Sequence, residues 1–553
     1  MMASVWRSAG SRWAACAFAG ASAAAVMAHT ARERPAECLE VPQTSTTTED
    51  DIKSRIHDFR AWAAGLGADM DAVEVRQSPQ GRGLGLYPSA SAQRQHGAGC
   101  TAYLLQLCGM KWDTALATFP LATVVSSKLA VRQPGMGEMY AKLIASGSVD
   151  ERTALMLFLL VEKLRGEESL LSPWLNLVPS TFDTPLHFTE SELRELQGTN
   201  LHEAARVLSA NLHKTWRELK PVCRELLQAA GQGQQDPSFE DFLWAYSTFW
   251  SRAQSLPVPT GVNGEVSTQE SIVPGLDFAN HAANHSCRWT VWGGQRGPDQ
   301  PDKISLVTSQ CSGLRMDEEL FITYGDKSNE ELLFLYGFAL ENNAGDMLMV
   351  KCPLPPVEQW DDVIRDRLVF LVKQGLLPQL FLPACSLPAD LNSKAAAADV
   401  EAWLPSMARN VLEALLMDPA ELAGRVQALQ SGNPDGAGPV SRPESKEEAT
   451  QQGIKDTGMK LAVLTCLARM LEIKSAELEG DEGSGPLERD QKILEAAKDP
   501  EGQSTLPARL HSTILYRMGQ KKLARQYLQL ARSAIVAEME CMQAFVAEED
   551  AAE

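Results

Sequence analysis

The sequence predicts an α+β protein: a small, mostly β core split by a helical insert, followed by an all-α C-terminal lobe. Three observations predict it. Short segments with two-residue alternation gather near residues 73–87 and 272–324. Between them, from about Lys111 to Ala253, apolar residues recur at helical spacing. After about Asn342 the spacing is again helical, to the end of the chain. A chain of 553 residues is too long for one ordinary domain, and 44% hydrophobic content suffices for sizeable cores.

The elements follow in order. Residues 1–34 are rich in Ala and Ser, carry Arg7 and Arg12, and hold no acid before Glu33. That composition predicts an organellar targeting peptide, plastid favoured over mitochondrion, with a secretory signal as the alternative. If the segment is not an address, the protein is expected in the cytoplasm. Residues from Pro35 to Asp51 read as a polar linker. A helix is expected over Ile52–Ala64, with Ile56, Phe59 and Trp62 or Ala63 on one face. Val73 to Arg76 alternates like a strand, and Gly81-Arg82-Gly83-Leu84-Gly85-Leu86 makes a glycine-rich turn. Tyr87-Pro88 follows it and no helix opens, so a dinucleotide-binding turn is disfavoured and a hairpin is the plain reading.

Thr153 to Leu164 reads as a helix; Thr189, with Glu192 three residues on, opens another through a capping box. Phe239 to Ala253 is a third helix, and Leu256 to Glu270 a loop. Ile272-Val273, Trp289–Trp292, Ile304–Thr308 and Leu320–Tyr324 read as strands, the last halted by Gly325. In the C-terminal lobe, Ser431–Gly453 and the acidic Glu477–Asp490 read as flexible interruptions. The final helix is expected over about Leu506–Glu548, with Lys521 and Lys522 as surface charge.

Charge and cysteine usage narrow the function. A net charge of -20 argues against a general nucleic-acid binder and for a protein segment as partner. The 11 cysteines form no C-x-x-C pair, so neither a disulfide framework nor a four-cysteine zinc site is supported. His281, His285 and Cys287 have zinc-like spacing but lack a fourth ligand nearby, so no metal is expected. No segment after the N-terminus is apolar enough to cross a bilayer, and no membrane association is expected.

Two further stretches carry chemistry. One is Val273-Pro274-Gly275-Leu276-Asp277-Phe278-Ala279-Asn280-His281. The other runs Phe321-Ile322-Thr323-Tyr324-Gly325-Asp326 and on to Leu335-Tyr336-Gly337-Phe338. Together they resemble the asparagine–histidine and tyrosine motifs of the SET domain, and the glycine turn falls at that family's first cofactor motif. Thr184-Pro185-Leu186, Glu192 to Thr199, Trp244-Ala245 with Ser251-Arg252-Ala253, and Leu515 to Lys522 resemble the Rubisco large-subunit lysine methyltransferase group.

The resemblance implies a pseudo-knotted SET core in two parts, 52–110 and 266–342, separated by a helical insert over 111–265. A substrate-binding lobe would follow over 343–553. It implies an S-adenosylmethionine-dependent methyltransferase acting on a protein, as a monomer. Tyr324 would be the catalytic residue. Gly81, Arg82, Gly83, Asn280 and His281 would bind the cofactor. Arg252, Gln254, Asp277, Trp292 and Tyr336 would meet the substrate, with Tyr336 and Trp292 in the wall of the target channel. The Rubisco enzyme carries Phe where this chain has Gln254, and the actin-histidine relatives are polar there. A lysine target in a non-histone protein and a histidine target therefore both stay open, beside an inactive protein-binding adaptor. Plainer readings exist for single residues: Tyr324 and Tyr336 as core aromatics, Asp277 as a turn cap, Arg252 as an ion-pair partner.

Overall fold

The computed structural model describes residues 49–78, 82–92, 114–121, 124–259, 266–292, 303–308, 314–430 and 446–550. The segment expected as a targeting peptide, Gly81 and most of the first expected interruption lie outside the described residues. The described chain divides into two compact units, one of residues 49–182 and 208–326, the other of residues 183–207 and 327–550.

The first unit opens with the helix Glu49–Gly65. Glu49, Asp50 and Asp51 occupy its first turn, where the helix dipole favours acids, and it buries Phe59 and Ala63. β1 (Val73–Gln77) and β2 (Leu84–Pro88) then pair antiparallel, Val73 opposite Pro88 and Gln77 opposite Leu84. The glycine turn is thus the tip of a hairpin.

β3 (Thr114–Pro120) and β4 (Val125–Ser126) come next, in a stretch expected to be helical. The reason is pairing. β3 runs antiparallel to β8 (Lys303–Thr308), the central strand of a β3-β8-β7 sheet. There Leu116, Ala117 and Phe119 are buried with Ile304, Leu306 and Val307. Packing against a partner outweighs the helical preference of alanine-rich sequence. A second sheet has the order β4-β6-β5, formed by β4, β5 (Gln254–Pro259) and β6 (Val266–Ile272). Residues expected as one loop therefore form two strands. Pro257 and Pro259 are tolerated because β5 is an edge strand. β7 (Cys287–Trp292) completes the first sheet, as expected.

Two helices flank the strands. Glu151–Arg165 is capped by Asp150, whose carboxylate accepts from Thr153 N at 2.8 Å, and it is buried from Ala154 to Glu162. Phe239–Arg252 starts from a reciprocal Ser238–Asp241 capping box. Lys163 joins the two helices, 3.0 Å from Asp241 and 4.8 Å above the Trp244 ring.

Leu320–Tyr324 is not a strand. Its backbone bonds are divided among three segments: Leu320 N donates to Leu86 O at 2.7 Å, Ile322 N to Asn280 O at 2.9 Å, and Phe321 O accepts from Cys287 N at 3.0 Å. A single parallel bridge, His281 to Ile322, is what remains of a ladder.

The second unit is built on two long helices, Lys446–Glu479 and Ala508–Asp550. They run antiparallel, with Gly453 against Phe545 and Gly458 against Met542. The capping box at Thr189 and Glu192 is present at the helix Glu190–Arg194. The lobe is not all-α: β9 (Met347–Lys351) and β10 (Gln379–Pro383) pair antiparallel, and Leu348, Val350, Leu380 and Leu382 enter its core. These β-rich apolar alternations are short enough to be lost in a helical reading. The acidic stretch 477–490 is ordered rather than flexible, joining two helix ends. Asp490 within it is fully buried, 2.7 Å from Arg517 and 2.6 Å from Lys521. Lys521 is therefore an interior ion-pair partner rather than surface charge, while Lys522 is exposed. Residues 446–453, expected in a flexible interruption, are helical. Among the described residues, no helix is long and apolar enough to cross a membrane.

Candidate active site

The β1–β2 hairpin supplies the first wall. Gly83 has φ +77°, a conformation other residues rarely adopt, and its carbonyl closes the turn by accepting from Ser78 N at 2.7 Å. Arg82 and Gly83 are exposed at the tip, and the Arg82 guanidinium lies 5.9 Å from the centre of the Phe321 ring. Gly81 is outside the described residues.

The second wall is the segment after β6. Gly275, at φ +100°, turns the chain against Phe119 and Phe59, and a Cβ there would sit 2.9 Å from the Phe119 ring. Asp277 pins this turn. Its carboxylate is shielded from solvent and accepts from Arg252 Nη1 at 2.8 Å, Trp174 Nε1 at 3.1 Å and Gly275 N at 2.8 Å. Arg252 and Asp277 thus hold the loop that presents the next residues, Ala279 to His281.

Asn280 spends both amide protons inside the protein, on Leu84 O at 3.0 Å and Glu319 Oε1 at 2.6 Å. Its side-chain oxygen is left to meet a ligand, and an acceptor suits an ammonium group. His281 Nδ1 accepts from Tyr324 N at 3.1 Å, which puts the ring proton on Nε2. Burial lowers the His281 pKa, with His285 and Arg82 adding repulsion, so the ring is neutral at neutral pH.

Tyr324 closes the cleft. Its hydroxyl donates to Ala279 O at 3.0 Å, and its ring lies 5.2 Å from that of His281. With its proton committed, the hydroxyl oxygen presents lone pairs, suited to an amine N–H or a polarised methyl C–H. Gly325 follows at φ +99° and lets the chain turn away.

The remaining predicted residues are placed as follows. Gln254 starts β5 directly opposite Ser271 on β6, so the two project to the same face. Gln254 Oε1 and Ser271 Oγ are both buried without a hydrogen-bond partner among the described residues. Trp292 ends β7 opposite Lys303. Tyr336 belongs to the second unit, where it ends a single π-helical turn, Leu332–Tyr336. Burial pushes its phenol up to about 12, with the Glu331 carboxylate adding to the shift. Hence Arg82, Asn280, His281 and Tyr324 come together in the first unit, and Arg252 and Asp277 support them.

Sequence reasoning missed Glu319. It bonds Asn280, Ser78 and Tyr87 at once. Its only sequence signal is an acid in front of the apolar run Leu320–Ile322, shared with Asp317 and Glu318. Among the described residues no cluster of His, Cys, Asp and Glu is arranged to hold a metal.

No family model matches the chain. Ribosomal lysine N-methyltransferase set10 of Schizosaccharomyces pombe is 28% identical over 209 residues, 38% of this chain and 35% of that protein. Human actin-histidine N-methyltransferase is 27% identical over 245 residues, 42% of this chain and 36% of that protein. The chain thus matches little more than a third of the length of these curated relatives. Among solved structures, the SET domain of LSMT bound to lysine and AdoHcy superposes with TM-score 0.59 at 17% identity. The match covers 87% of this chain and 91% of that one. Rubisco LSMT bound to AdoMet gives 0.55 at 16% identity, over 88% and 93%.

Proposed function

We propose that this chain, which has the SET-domain fold of Rubisco LSMT, is an S-adenosylmethionine-dependent protein methyltransferase whose target is a lysine of a non-histone protein. One observation carries the reading. The residues of two separated motifs meet at one place: Tyr324 donates to Ala279 O and, through its backbone N–H, to His281, beside Asn280.

The cleft fits the cofactor. Asn280 offers an acceptor to its ammonium, and the exposed Arg82-Gly83 turn leaves backbone accessible beside it. S-adenosylmethionine, when bound, supplies a methyl group on a positively charged sulfur. The protein's task is alignment, since methyl transfer from a sulfonium is an in-line displacement that needs no metal. In this reading the Tyr324 oxygen orients the target amine and restrains the methyl hydrogens, and Ala279 fixes the direction of the hydroxyl. The amine must be neutral. Free lysine has a pKa of about 10.4, so roughly one in a thousand is neutral at pH 7, and an apolar channel raises that share by desolvation. The cofactor's positive charge raises it further.

A second reading, a histidine target, draws on Gln254. Its buried, unpartnered Oε1 is an acceptor that an imidazole N–H satisfies. An inactive adaptor is the third. The experiment is mass spectrometry of a lysate incubated with the protein and isotopically labelled S-adenosylmethionine. Methyllysine supports the proposal, methylhistidine the second reading, and no incorporation despite cofactor binding the third. Composition supports an organellar location and a protein rather than a nucleic-acid or membrane partner, and the resemblance supports a monomer.

A further inference from the structure

Glu319 joins the β1–β2 hairpin to Asn280. Oε1 accepts from Asn280 Nδ2 at 2.6 Å; Oε2 accepts from Ser78 Oγ at 2.6 Å and from the Tyr87 hydroxyl at 3.4 Å. The next residue is tied down as well, by Leu320 N to Leu86 O. The carboxylate lies against the backbone of Gly85. A Cβ on Gly85 would fall 2.3 Å from Oε1, 2.7 Å from Cδ and 3.3 Å from Cγ. Residue 85 is a glycine on the buried strand β2 for this reason: the carboxylate fills the space a side chain would take.

The consequence falls on Asn280. A carboxamide has nearly the same shape either way round, and hydrogen bonding alone decides which end points where. Here two acceptors, the Leu84 carbonyl and the Glu319 carboxylate, lie on the inner side. They hold the NH2 inward and leave the carbonyl oxygen outward. A carboxylate can only accept, so it enforces this orientation; a neutral amide in its place can donate and would tolerate the reverse.

We infer that Glu319 is a positioning residue that fixes the Asn280 carboxamide so that its oxygen, not its NH2, faces the ammonium of the cofactor. The inference rests on the S-adenosylmethionine reading. It makes the discrimination specific: with Glu319 neutralised, Asn280 can turn its NH2 toward the ammonium, donor against donor, while the rest of the ligand is unaffected.

The test is calorimetry on the full chain with two ligands, S-adenosylhomocysteine and its analogue lacking the α-amino group. Glu319→Gln should weaken S-adenosylhomocysteine about tenfold, as expected for a lost charge-supported hydrogen bond, and the desamino analogue by less than about threefold. Ser78→Ala removes the shorter of the two bonds to the second carboxylate oxygen and should shift the same ratio to a lesser degree. Gly85→Ala pushes the carboxylate aside and should shift it fully. These two variants carry the test if Glu319→Gln does not fold. A folded variant that loses both ligands equally, or neither, overturns the inference while leaving the cofactor reading intact. A wild-type chain that binds no S-adenosylhomocysteine overturns both.

Discussion

Replacing Tyr324 by phenylalanine deletes one oxygen and keeps the ring. The structure separates what that costs the fold from what it costs the reaction. The lost hydrogen bond to Ala279 O leaves the carbonyl of a residue only 1% exposed without that donor, a cost of about 1 kcal/mol, at most about 3. The ring contact with His281 and the backbone bond from Tyr324 N to His281 Nδ1 are untouched, so cofactor affinity should stay within a few-fold. The catalytic loss is of a different size. If the hydroxyl aligns amine and methyl, turnover should fall roughly 10²-fold or more, which is about 2.7 kcal/mol of barrier. The assay is kcat with a saturating protein substrate, beside a thermal melt and a cofactor titration on the same preparation. A variant that is folded, binds cofactor and turns over near the wild-type rate would refute the assignment of Tyr324.

Three other expectations follow from the same geometry. Asn280→Ala should weaken S-adenosylmethionine by about 1–3 kcal/mol in calorimetry, since it strips the proposed ligand acceptor and removes the Asn280 donor from Leu84 O and Glu319 Oε1. Activity toward lysine should rise from pH 7 to about 9, as the neutral amine becomes more common, whereas a histidine target, with a pKa near 6.5, would give a plateau around neutrality. His281 does not confuse this profile: its pKa is lowered, so it is already neutral at pH 7 and stays so above it. In the C-terminal lobe the adjacent lysines should behave oppositely. Lys522→Glu on the surface should raise KM with little change in kcat if the lobe docks substrate. Lys521→Glu, set against buried Asp490, should cost about 3–5 kcal/mol and appear as a collapse of the melting transition.

Local chemistry was readable from the sequence. Both signals of the Thr189–Glu192 capping box lie within four residues, and the helix starts there. The helix Phe239–Arg252 likewise announces itself in its periodicity. Asn280, His281 and Tyr324 were legible as motif residues, and the structure brings their segments together. What was hidden depended on partners far along the chain. Thr114–Pro120 looks helical until Lys303–Thr308 pairs with it. Leu320–Tyr324 looks like a strand until its bonds prove to be shared among three segments. Nothing in Asp317-Glu318-Glu319 tells which acid points inward, because the answer is set by Asn280 and Ser78. Lys521 and Lys522 differ for the same reason: Asp490 reaches one of them and not the other.

The segment Leu320–Ile322 bonds at once to Leu86, to Asn280 and to Cys287. Leu86 is remote in sequence from Asn280 and Cys287, so these bonds cannot all form from local contacts. Loop-closure entropy is spent before the bond from Leu320 N to Leu86 O is gained. If the cofactor binds at Asn280 as proposed, it should stabilise every segment that meets there by RT ln(1 + [L]/Kd).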